Sequence, residues 1–302
     1  MSQRINLLSW FDKSTILHLR IPFSFLLLPV FLFALSQADH INWHSTAIAF
    51  IILHLLLYPA SNGYNSYQDR DETSIGGLKH PPKVTSGLFY VTLMMDITGV
   101  LCSLFISWQF AACALILVLV SRAYSYRKIR LKKFGIPGFF VVILFQGAFV
   151  YLTAATAISD VNPVSLFHLN QLICMGVAAL FIGSSYPLSQ VYQHEADKKD
   201  GVISLSYKLG YMGTFIFSAA LFSMGTVLLL CNFQLKKQSV PSVLFLLFMV
   251  PAIVRLLVWV IKVHRSTAAI TYENTMSMTI LIASSMNLYF AVLIANHFLK
   301  WF

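Results

Sequence analysis

Nine mostly apolar stretches follow one another along the chain, at about 21–38, 41–61, 88–107, 109–124, 137–157, 167–190, 211–231, 240–261 and 277–298. Each comes near the ~20 residues that an α-helix needs to cross the hydrocarbon of a bilayer. The pattern predicts nine transmembrane helices, with very tight links at Gln37–His40 and Ser107–Gln109. Pro22, Pro29, Pro59, Pro187 and Pro251 fall inside the runs and are expected to kink them, which packed neighbours tolerate.

The polar segments between the runs alternate between two sides. One side collects 18 of the 21 Lys and Arg residues. They comprise Arg4, Lys13 and Arg20, then Arg70, Lys79 and Lys83, six between Arg122 and Lys133, Lys198, Lys199 and Lys208, and finally Arg255, Lys262 and Arg265. The other side has only Lys236, Lys237 and Lys300. Basic residues accumulate on the cytoplasmic side, so the N-terminus is expected there. The expected location is the cell inner (cytoplasmic) membrane, with multiple passes.

Composition agrees: the 302 residues are 58% hydrophobic and 11% charged, far from the balance of a water-soluble domain. The net charge of +10 sits in short segments between apolar runs, which speaks for membrane orientation and against nucleic acid as a partner. Cys102, Cys113, Cys174 and Cys231 all lie in apolar runs without a CxxC pair, and read as packing residues. The polar, amphipathic N-terminus lacks the apolar stretch and cleavage site of a signal peptide and is expected to be retained.

The acidic residues change the picture. There are eleven, and six fall in two segments on the basic side: Asp69, Asp71 and Glu72, then Glu195, Asp197 and Asp200. These groups directly follow the second and sixth apolar runs. Orientation needs no acids there. Asn65 and Asp69 are four residues apart and share a face on a continuing helix, as do Gln193 and Asp197. Sparse oxygen donors suit Mg²⁺, which binds through one or two carboxylates plus substrate phosphates. Lys79, Lys83, Arg127, Lys128, Arg130 and Lys132 provide cations on the same side to balance a diphosphate. Either acidic group alone reads as a solvated face; two at equivalent helix exits favour a site.

These segments resemble the UbiA superfamily of intramembrane prenyltransferases. Asn65 and Asp69 match its first motif, Asn followed by Asp four and eight residues later, with Thr73 in place of the last Asp. Asp197, Gly201, Ser204-Leu205 and Leu209-Gly210 match the second motif, with Gln193 in place of its first Asp. Tyr124-Ser125, then Arg130-Leu131-Lys132-Lys133 and Gly135, are similar to the segment after the family's fourth helix, and Arg20 and Pro22 to its first-helix entry.

The resemblance implies one UbiA-like domain over 1–302. Its fold would be an all-α, nine-helix transmembrane bundle with a central cavity open to the cytoplasmic side. It implies transfer of a prenyl group from a prenyl diphosphate to a lipophilic, aromatic, quinone-precursor-like acceptor. Asn65, Asp69 and Asp197 would be the catalytic residues and would hold Mg²⁺, with Asp71 and Glu195 as further ligands. Lys79, Lys83, Arg130, Lys132 and Tyr124 would bind the diphosphate. The two substitutions leave open a catalytically silent, lipid-binding relative. A transporter is the rival of another class, but the chain lacks clear inverted repeats and its acids avoid the midplane. A CDP-alcohol phosphotransferase is disfavoured because its Asp-x-x-Asp-Gly and Ala-Arg pattern is absent.

Asp96 and Arg255 fall inside the third and eighth runs. They are expected to pair with each other or to line a pocket floor, with snorkelling as the alternative for Arg255. His194 is expected to be solvated, with acid–base chemistry as the sharper alternative. His54 is expected to be hydrogen-bonded within the bundle, and Tyr58, Tyr64, Tyr67 and Tyr192 to form an interfacial belt.

Overall fold

The computed structural model describes residues 10–301, so Arg4 lies outside the described residues. Nine helices among them are long and apolar enough to cross a membrane: α1 (Lys13–Gln37), α2 (Trp43–Asp69), α3 (Ser86–Ser103), α4 (Trp108–Ser125), α5 (Gly135–Ser159), α6 (Leu169–Lys199), α7 (Leu205–Leu235), α8 (Ser239–Arg265) and α9 (Tyr272–Leu299). Every expected span is present. α2 and α6 run past their apolar stretches and carry the acidic segments as helix, because backbone hydrogen bonding continues where hydrophobicity stops. Side chains cap several starts: Ser107 Oγ accepts from the Phe110 N–H at 3.1 Å, and Asp12 Oδ1 from the Thr15 N–H at 2.7 Å.

The prolines act unequally. Pro22 lies in a 3₁₀ stretch (Ile21–Leu26) that interrupts α1. In α2, a π-helical stretch (Ile52–Leu57) directly precedes the turn containing Pro59. Pro59 has no N–H to give the carbonyl four residues back, and a wider turn absorbs that loss. Pro187 and Pro251, by contrast, sit inside continuous helix. The sharpest break comes at a glycine: Gly210 in α7 has φ 65° and ψ 178°.

The chain forms two compact units, one of residues 1–24 and 47–131 and the other of 25–46 and 132–302. In the first, α2 and α3 approach through small residues. A Cβ on Gly63 would meet Thr92 Cγ2 at 2.8 Å, and one on Gly99 would meet Leu57 Cδ2 at 2.6 Å. Packing of this kind holds helices together where lipid removes the hydrophobic drive between them. In the second, α5 meets α6 more closely still, with Gly147 against the Ala179 backbone, where a Cβ would come to 2.6 Å. Phe33, Tyr151, Phe245, Tyr289 and Phe290 fill its core. Large apolar side chains such as Leu101, Phe105, Leu247 and Leu257 face outward, as lipid contact allows.

The expected Asp96–Arg255 pair does not form. Asp96 is ion-paired instead with Arg122 of α4, whose Nε donates to Asp96 Oδ2 at 2.7 Å. The guanidinium lies 3.9 Å from the centre of the Tyr64 ring. An adjacent helix supplies the partner, so neither charge has to reach further. Arg122 had been counted with the orienting basic residues at the helix end, which hid its role. Arg255 bonds to Asn274.

Removing one member of a buried pair strands the other. Asp96→Asn is expected to lower stability by about 3 kcal/mol, read as a drop in the denaturant midpoint in detergent. Asp96→Asn/Arg122→Gln should recover part of that loss; an unchanged midpoint in the single variant would count against the pair's role.

Candidate active site

The first motif is built on the end of α2. Its last turns remain helical through Asp69, and Arg70, in the left-handed region at φ 55°, stops them. Asn65 and Asp69 therefore stand one turn apart on the same face. Residues of α4 and the turn after it meet that face. Ser61 Oγ lies 2.6 Å from Ser121 Oγ, and Asn65 Nδ2 donates to Ser125 Oγ at 3.1 Å. Arg130 donates to Asp69 Oδ1 at 3.3 Å, with only 10% and 6% of the two side chains exposed. Arg127 donates to the last carbonyls of α2, Gln68 O at 2.6 Å and Asp69 O at 3.1 Å. This places a cation at the negative end of the helix. Arg130 reaches its carboxylate because the chain turns back after α4: its N–H donates to Tyr126 O at 2.6 Å, with φ at 46°.

Arg20, matched to the family only as a helix entry, is a buried brace that donates to Gly76 O at 2.8 Å and Asn62 O at 2.9 Å. It ties the 70–85 loop to α2, helped by Phe23 packed under Gly76 and by His18 bonded to Pro82 O at 2.8 Å. Lys79 and Lys83 ride on this loop and are exposed; their carbonyls accept from Ser74 and Ser14. Tyr124, Lys132 and Asp71 are half-buried, and Thr73 is exposed. Among the aromatic residues expected at the interface, Tyr58 and Tyr64 are buried. His54, expected to be bonded within the bundle, meets the Ser24 backbone and packs against Phe50 and Tyr58.

The second motif lies in the other unit, on the end of α6. Asp197, Gln193 and Asp200 are half-buried, and Glu195 is exposed. Gly201, at φ 71°, reverses the chain, and the Val202 N–H donates to Asp197 O at 2.8 Å. Ile203 and Ser204 then pair in parallel with Phe134 and Gly135. Gly135 must be glycine-sized there, since a Cβ would meet Ile203 O at 2.7 Å. Ser204 caps α7 by accepting from the Tyr207 N–H at 3.2 Å. The motif's small residues thus serve the backbone, and Asp197 is its half-buried carboxylate.

His194, expected to be solvated, is buried. It stacks on Tyr211 with ring centres 4.9 Å apart, and its Nε2 lies 2.8 Å from Ser206 Oγ. The network continues from Ser206 Oγ to Thr214 Oγ1 at 3.1 Å, and Thr214 Oγ1 lies 2.7 Å from Gly210 O and 3.1 Å from Ser206 O. His194 pins the second motif to the break in α7.

Among the described residues, no three His, Cys, Asp or Glu side chains gather as a metal cage. The donors present are carboxylate and amide oxygens, which fit Mg²⁺ only if substrate phosphates complete its shell. From the sequence, Arg122 reads only as an orienting charge, Arg127 only as one of several cations and Ser125 only as part of a motif match; their contacts with Asp96, the end of α2 and Asn65 are seen in the structure. A signal existed: Ser121 and Ser125 repeat, at the same four-residue spacing, the polar series Ser61, Asn65 and Asp69 on α2.

Comparison with known proteins agrees with this geometry. The model of the UbiA prenyltransferase family matches residues 25–290. A solved structure described as digeranylgeranylglyceryl phosphate synthase in membranes is 18% identical, with TM-score 0.59, covering 96% of this chain and 98% of that one. A UbiA homologue from Archaeoglobus fulgidus bound to DMAPP and Mg²⁺ is 14% identical, with TM-score 0.64, covering 94% and 99%. The same homologue bound to GPP and Mg²⁺ gives 0.63 at 14% identity, covering 94% and 100%. No curated protein sequence matches the chain. With a family match spanning most of its length, and nine apolar helices among the described residues, the chain belongs to the UbiA prenyltransferase family.

Proposed function

We propose that this protein transfers a prenyl group from a prenyl diphosphate to a lipophilic, aromatic, quinone-precursor-like acceptor, with Mg²⁺, at the cytoplasmic face of the inner membrane. The observation that carries this reading is the end of α2, where Asn65 and Asp69 share a face and Arg130 lies on the Asp69 carboxylate. The structures of the Archaeoglobus homologue with DMAPP or GPP and Mg²⁺ support it by analogy.

In the first unit Asn65 and Asp69, with Asp71 as a further ligand, would hold Mg²⁺; in the second unit Asp197, with Glu195, would offer carboxylates of the same kind. Bound there, the ion supplies positive charge to the phosphate oxygens. Ser125 takes the Asn65 amino group, which leaves the amide oxygen as the donor atom turned from α4. Arg130 lies on one Asp69 oxygen at 3.3 Å. A guanidinium can bridge two anions, so Arg130 suits a diphosphate beside the carboxylate. Lys79, Lys83 and Lys132 would add charge as the leaving group departs, and Tyr124 would be a further diphosphate contact. The allylic C–O bond breaks with its electrons leaving on the diphosphate. The acceptor ring forms the new C–C bond and then loses a proton.

Asp69→Asn and Asp197→Asn are each expected to cut transfer about 100-fold or more, with folded protein still recovered from the membrane. Normal turnover by both variants would remove the site from consideration. EDTA is expected to stop the reaction and added Mg²⁺ to restore it; full activity in excess chelator would exclude the metal. Binding of geranyl diphosphate without any release of diphosphate would mark a silent lipid-binding relative instead.

A further inference from the structure

Arg255 lies in α8, ten residues before its end at Arg265 and so about 15 Å from that end. Its flanking neighbours on the same helix face, Ala252 and Trp259, are both buried, so the arginine belongs to the inward face. Among the described residues Asn274, in the first turn of α9, is its one polar partner, accepting at Oδ1 from a guanidinium NH₂ at 3.0 Å. Asn274 is held in place: its Nδ2 donates to Ala269 O at 2.9 Å, and its N–H to Thr271 Oγ1 at 3.2 Å. That fixes the amide oxygen towards the arginine. No carboxylate among the described residues lies within ion-pair reach of Arg255.

A guanidinium has five donors and a permanent charge, and one neutral amide answers a single donor. Holding such a cation inside a membrane-spanning helix is costly unless something anionic meets it. The surroundings indicate what that is. α9 packs against Val191–Gln193, and the rings of Tyr272 and Tyr192 meet at 5.5 Å. The arginine therefore sits in the same corner of its unit as the second motif. There Gln193 stands where the family pattern that this segment resembles has an aspartate, and Arg255 brings a positive charge to the corner.

We propose that Arg255, oriented by Asn274, binds phosphate oxygens beside the second motif. This gives the prenyl diphosphate a direct guanidinium contact where the Gln193 substitution removes a metal-binding carboxylate. It rests on the prenyltransfer reading. A lipid headgroup offers the same phosphate chemistry, and the test separates the two sources.

The protein is purified into phosphatidylcholine nanodiscs and titrated calorimetrically with geranyl diphosphate and Mg²⁺. Arg255→Gln should weaken binding by roughly tenfold or more, and Arg255→Lys by less. Asn274→Asp should weaken it too, by turning the neutral partner into a competing carboxylate while Arg255 stays in place; this variant covers the case in which Arg255→Gln fails to fold. In parallel, phosphatidylglycerol retention is read by native mass spectrometry. Loss of that lipid in the variants, with geranyl diphosphate binding intact, assigns the phosphate to a headgroup and overturns the substrate contact. Unchanged binding of both ligands in every variant overturns the phosphate site altogether. Failure of the unmodified protein to bind geranyl diphosphate overturns the prenyltransfer reading, while the lipid measurement still decides whether Arg255 takes a phosphate.

Discussion

A polar side chain inside a membrane-spanning helix has little water to turn to, and its partner must come from its own backbone or from another helix. In the first unit this requirement shapes the seam between α2 and α4. Ser61 meets Ser121, Tyr64 lies against Arg122, Asn65 reaches Ser125 and Asp69 reaches Arg130. Slipping one helix by a residue would break all four contacts together, so the seam fixes register more firmly than apolar packing alone. The first motif is the last rung of this ladder, and its carboxylate is presented by the contacts that hold the helices together.

The second unit reaches order by other means. Its motif leaves a helix end through a glycine reversal, pairs briefly with Phe134–Gly135 and re-enters helix under a serine cap. His194 ties these pieces to the break at Gly210 through a chain of hydroxyl groups. One motif thus depends on side chains bridging two helices, the other on backbone geometry with a buried imidazole as its pin.

Much of the fold was legible in the sequence, because hydrophobic length is a direct readout of bilayer thickness, and all nine spans appear where apolar runs occur. The family and both motif segments were legible too, from short polar patterns at helix exits. Partner choice was not. Asp96 looked matched to Arg255 by depth, but depth does not say which helices are neighbours; Arg122, on the adjacent helix, takes the carboxylate. His194 looked solvated because charged residues surround it in the chain, yet aromatic packing buries it. The 3₁₀, π and glycine irregularities are likewise invisible in hydropathy, which measures how apolar a helix is and not how its turns are wound.

The π-helical stretch in α2 has a consequence for the whole motif. A wide turn inserts one residue beyond the regular winding, and everything after it is rotated by about 100° relative to a continuous α-helix. Asn65 and Asp69 lie downstream of Ile52–Leu57, so the angular phase of the face they share is set turns away, in a stretch made almost wholly of Leu and Ile. Shortening that stretch by one residue would leave hydrophobic length and composition almost untouched. It would also swing the serine, asparagine and aspartate series off α4 towards a different neighbour. For this helix, the count of apolar residues before the motif carries information that their chemical character does not.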